Sequence, residues 1–90
     1  MSAVQTIAAV AEQHSDQLLA DSIRIIDATL AHIPADSDEA RAQRLVRASL
    51  CTVLENRYPH VIAALDEWAT APDGSDNRSY TQVLLDALGL

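Results

Sequence analysis

The segment from residue 2 to residue 33, SAVQTIAAVAEQHSDQLLADSIRIIDATLAHI, decides the fold. On a helical wheel of about 100° per residue, its apolar side chains fall on one stripe. The members of the stripe are Val4, Ile7, Ala8, Ala11, Leu18, Leu19, Ile25, Ile26, Leu30 and Ile33. The stripe keeps its phase through Ser15, which predicts one continuous helix that ends before Pro34. At about 1.5 Å per residue, this helix is on the order of 45 Å long.

A second helix is predicted from the Asp36-Ser37-Asp38-Glu39 segment to about Arg57. Asp36 or Ser37 can accept a hydrogen bond from a free N–H group of the first helical turn. Pro59 removes a helical hydrogen bond and clashes with the preceding turn. It either begins a new helix or kinks one that continues, and the change of phase of the apolar stripe predicts a sharp kink or a tight turn.

A short last helix is predicted after the loop between Thr70 and Arg78. Ser79 followed by Gln82 is a capping box, and Gly89 suits the left-handed position that ends a helix. The fold class is therefore all-α: a single domain, residues 1–90, in which a long helical hairpin bent near Pro59 carries a short C-terminal helix. Such a hairpin leaves apolar surface uncovered, which favours a homodimer formed through the first helix.

Composition excludes several classes of function. The 90 residues carry a formal net charge of −7, and all six basic residues are arginine. This balance disfavours binding to nucleic acid or to an anionic membrane surface, and it permits a basic protein partner. We find no secretory signal and no apolar run that would span a membrane. The expected location is the cytoplasm.

Cys51 is the only cysteine, so an intramolecular disulfide is impossible. Arg47 and Glu55 lie four residues to either side, and a neighbouring arginine can activate a thiol. The favoured interpretation is that Cys51 is a small apolar filler. The histidines, His14, His32 and His60, lack the spacing of metal ligands. We expect neither a cofactor nor a metal, and no residue qualifies as catalytic.

Two sets of residues are candidates for interaction. The apolar set on the first helix comprises Leu18, Leu19, Ile25, Ile26 and Leu30. The basic set, Arg41, Arg44 and Arg47, recurs every three residues along the second helix and forms a strip that could take a phosphate or carboxylate group of a partner. The alternative is that these arginines pair with nearby carboxylates or are simply solvated.

The sequence favours a non-enzymatic protein–protein interaction module, an accessory or regulatory protein that acts through helical surfaces. A second hypothesis is an acidic decoy that covers a basic partner, as an antitoxin, an immunity protein or a DNA mimic does. The third is a small enzyme that uses Cys51. An apolar patch that is exposed beyond the dimer interface supports the first hypothesis. A clustered acidic face supports the second, and a reactive thiol in a pocket supports the third.

Overall fold

The computed structural model describes residues 3–72 and 74–90, with side chains from Thr6 onward. Five helices account for most of this range: α1 (Ala3–Ala11), α2 (Asp16–Leu30), α3 (Asp38–Arg57), α4 (His60–Thr70) and α5 (Tyr80–Leu88). No strand occurs in the described ranges. The predicted all-α class is confirmed.

The prediction of one continuous first helix is wrong, because the chain leaves the helix after Ala11 and re-enters it at Asp16. The hydroxyl of Ser15 accepts the N–H of Leu18 at 3.2 Å and so caps a new helix. The carboxylate of Asp16 adds negative charge at the positive end of that helix. The extents of the Cα trace are 33 × 30 × 24 Å, so the described residues contain no helix of about 45 Å. Ser2 and the side chain of Val4 lie outside the described residues.

The other predicted boundaries hold closely. Ser37 accepts the N–H of Ala40 at 3.1 Å, and α3 runs from Asp38 to Arg57. Tyr58 and Pro59 separate α3 from α4, which makes the predicted break a tight turn between two helices. Ser79 caps α5, and Gly89 ends it at a φ of 72°.

The core is arranged around α3. Both α1 and α2 pack against α3, α5 packs against α4, and α4 joins the end of α3. The largest fully buried side chains are Leu19, Ile23, Val53, Leu54, Val61 and Leu84. The carboxylate of Asp27 in α2 accepts hydrogen bonds from two other helices. Arg47 of α3 lies 2.7 Å from one oxygen, and the hydroxyl of Thr81 in α5 donates to the other at 2.6 Å.

Candidate functional site

An apolar groove runs between α1 and α2. Each of these helices packs against α3, but they make few contacts with each other. The gap encloses about 540 Å³. Its walls are Ile7 and Val10 on α1 and Leu18 and Ile25 on α2, and its floor is Val46 and Leu50 on α3. The groove therefore occupies the place where a further helix would pack.

The walls of the groove expose large apolar side chains to solvent. Val10 is 62% exposed, Leu18 48% and Ile25 66%. No Asp, Glu, Lys or Arg is among the lining residues; the polar ones are Thr6, His14 and Ser22. Full burial of an exposed side chain of this size is worth about 1.5–3 kcal/mol, and covering the exposed half of one is worth about half of that. A contiguous apolar surface of this kind is typical of a binding surface for another protein.

The predicted apolar set is brought together on α2, but it is divided between groove and core. Leu18 and Ile25 are exposed groove walls, whereas Leu19 and Ile26 are buried at its base. Leu30 is half-buried and packs against the core outside the groove. The cause is the direction in which α2 faces the core. Its buried face is centred near Ile23, which is not a member of the predicted stripe.

Four of the six side chains that form the walls and floor of the groove are absent from the predicted interaction set, namely Ile7, Val10, Val46 and Leu50. Ile7 belongs to the predicted apolar stripe of the first helix, and Val10 does not. The signal that could have found Val10 is the composition of α1, AVQTIAAVA, which contains no charged residue. A helix without charges has no strongly solvated face and is expected to be covered on more than one side.

The predicted arginine strip is not a common surface. Arg41 pairs with Asp38 at 3.6 Å on the exposed side of α3. Arg47 reaches across to Asp27 of α2. Arg44 donates to the carbonyl oxygen of Ala35 at 2.9 Å and, within the described ranges, has no carboxylate within 4 Å. Arg41 and Arg47 thus pair with different carboxylates, whereas Arg44 pairs with none in the described ranges.

A second, more polar cleft of about 620 Å³ lies between α3 and the start of α5. Cys51 forms part of its wall and is only 4% exposed. Burial raises the pKa of the Cys51 thiol to about 12, so very little thiolate forms near neutral pH. Burial also raises the pKa of Glu55, whose carboxylate accepts the hydroxyl of Tyr80. The arrangement suits a buried apolar cysteine better than a nucleophile.

The described residues contain no group of three His, Cys, Asp or Glu side chains that could hold a metal ion. In the same ranges, no helix combines the length and the apolar composition that a membrane span requires. His14 lines the groove, and His60 meets the ring of Tyr58 edge-on, with 6.2 Å between ring centroids. Comparison of the sequence with protein-family models, with curated proteins and with solved structures yields no match in any of the three.

Proposed function

We propose that the protein is a non-enzymatic protein–protein interaction module, an accessory or regulatory subunit, and that the apolar groove between α1 and α2 is its binding surface. The observation that carries this proposal is the exposure of Val10, Leu18 and Ile25 around an apolar hollow of about 540 Å³. Grooves of this kind accept an amphipathic helix, whose apolar anchors at i, i+3, i+4 and i+7 fill the hollow.

The occupant that we propose is a second copy of this chain. The helix that suits the groove is present on the chain itself, because α1 carries no charge and exposes Val10 at the edge of the groove. In a twofold dimer the same patch serves both subunits, so α1 of each copy lies against the groove of the other. The absence of charged side chains from the lining keeps like charges apart in the interface, although each copy carries −7.

The acidic residues give less support to the decoy hypothesis. Six of the described carboxylates pair with arginines, namely Asp16, Asp21, Asp27, Asp38, Asp76 and Asp86. The exposed carboxylates of the described part that have no arginine partner are Glu12, Asp36, Glu39, Asp66 and Glu67. They are spread over the α1–α2 connection, the start of α3 and the middle of α4, rather than gathered on one helix.

Light scattering behind size-exclusion chromatography, over a dilution series, tests the proposal. The native chain is expected to elute with twice its 9.7 kDa mass. Ile25→Glu places a charge in the groove and is expected to give a folded monomer, because Ile25 contributes little to the core. Ile62→Glu is the matched control: Ile62 is 47% exposed on α4, outside the groove, and this variant should remain dimeric.

A native chain that is monomeric at all concentrations contradicts self-association through the groove. Equal loss of the dimer in both variants assigns the effect to added charge rather than to the groove. Circular dichroism of each variant confirms that the helices are retained.

A further inference from the structure

The polar cleft lies on the opposite side of α3 from the groove. At about 100° per residue, the residues of α3 that line the cleft face away from those that line the groove. The cleft residues are Arg44, Ala48, Cys51 and Glu55, and the groove residues are Val46 and Leu50. The far wall of the cleft is the start of α5 with Tyr80, and its volume of about 620 Å³ falls within the range of about 300–1,000 Å³ typical of small-molecule sites. The cleft is open because α3 presents the short side chains of Ala48, Cys51 and Thr52 to it.

Most polar groups of the cleft already have partners on the chain. Asp27 receives Arg47 at 2.7 Å and the hydroxyl of Thr81 at 2.6 Å. The carboxylate of Glu55 receives the hydroxyl of Tyr80. Both carboxylates therefore already accept hydrogen bonds from side chains of the protein, and Asp27 balances the charge of Arg47.

Arg44 is the exception among the charged groups of the cleft. A guanidinium carries five N–H donors, and the one hydrogen bond from Arg44 goes to a neutral acceptor, the carbonyl oxygen of Ala35. Within the described part of the chain, Arg44 has no carboxylate partner. Each of the other five arginines has one. An uncompensated cation at one end of a cleft on an acidic protein favours an anionic ligand.

We propose that this cleft binds a small organic monocarboxylate. Its carboxylate lies on the guanidinium of Arg44, which offers paired N–H donors in the geometry that a carboxylate requires. Its aliphatic or aromatic body lies against Ala48, the wall at Cys51 and the ring of Tyr80. Glu55, towards the other end of α3, disfavours a second anionic group on the ligand, which selects monoanions over dianions.

The test is a titration followed by amide chemical shifts, with 4-phenylbutyrate as the probe. The expected result is a set of shifts confined to α3 around Ala48 and to α5 around Tyr80. Arg44→Gln is expected to weaken binding by about tenfold or more, because it removes a charge-assisted contact. Ala48→Leu should abolish binding, because it fills the cleft at an exposed helical position and leaves the charge unchanged.

Two controls make the test specific. Arg41→Gln removes an arginine from the same helix outside the cleft and is expected to leave the affinity within about twofold. 4-Phenylbutylamine has the same body with the opposite charge and should not bind. The proposal is overturned if the probe causes no shifts, if the amine binds equally well, or if Arg41→Gln and Arg44→Gln have the same effect.

Discussion

Arg57, the last residue of α3, lies 2.8 Å from the carboxylate of Asp16, the first residue of α2, measured between Nη1 and Oδ1. Its second terminal nitrogen donates to the carbonyl oxygen of Glu12 at 2.7 Å. One guanidinium therefore joins both ends of the break between α1 and α2. The hydroxyl of Tyr58 donates to the other oxygen of Asp16. The connection between α1 and α2 is therefore held by contacts with the end of α3.

Asp16→Asn should lower the free energy of unfolding by about 1 kcal/mol or more, because it removes a charge-assisted hydrogen bond and a negative charge at the start of α2. Urea denaturation followed by circular dichroism measures the change. Asp21→Asn is the matched control, since Asp21 lies in the same helix and its pair with Arg24 is exposed at 3.3 Å. That variant should lose less than about 0.5 kcal/mol. If the two variants lose the same free energy of unfolding, the contacts of Asp16 stabilise the protein no more than an ordinary surface ion pair does.

The boundaries that sequence reasoning placed well depend on local backbone chemistry. Ser37 and Ser79 cap their helices, Pro59 stands in a break, and Gly89 takes the positive φ that ends α5. Each of these signals acts within a few residues of its own position. Ser15 carries the same signal, but the unbroken phase of the apolar stripe outweighed it. Arg57 contacts both Glu12 and Asp16 at the break, and no local pattern reports a contact across 41 residues.

The residues of the groove could be predicted only in part, because their exposure also depends on contacts that are distant in sequence. The wheel gives the relative angles of Leu18, Leu19 and Ile25 on α2, and these hold in the structure. It does not give the direction in which the helix faces α3, because that depends on where α1 packs. The break after Ala11 lets α1 lie on α3 beside α2, and Leu18 and Ile25 are left between the two helices as exposed walls.

Ser15→Ala should destabilise the protein by about 1 kcal/mol, because the N–H of Leu18 loses the hydroxyl that caps it. Ser22→Ala makes the same chemical change inside the same helix, where alanine has the better helix propensity, so it should be neutral or slightly stabilising. Thermal or urea unfolding of the two variants gives the comparison. A single helix through residues 12–15 predicts the opposite for Ser15, namely that alanine stabilises.

Stability should fall in acid, and Asp76 should account for part of the fall. The Arg78 guanidinium beside Asp76 lowers the pKa of that carboxyl from 3.8 to about 2. A folded-state pKa below the unfolded value contributes stability that is present above pH 3.8 and is lost as the pH falls through about 2. Melting temperatures at pH 5 and pH 2.5 should therefore differ less in Asp76→Asn than in the native chain. An identical difference in the two proteins would mean that Asp76 titrates normally.

The Cys51 thiol should resist modification as long as the protein is folded. Burial raises its pKa from 9.0 to about 12, so at pH 8 the thiolate fraction falls on the order of a thousandfold, and the 4% exposure blocks approach of a reagent. Labelling with a disulfide reagent at pH 8 should be slow in buffer and rapid in urea. An Ala63→Cys variant in a Cys51→Ser background is the control, since Ala63 is exposed on α4 and its thiol should react rapidly in the folded protein. Rapid labelling of native Cys51 would show that the thiol becomes exposed while the protein is folded, and it would restore the hypothesis of a thiol enzyme that burial argues against.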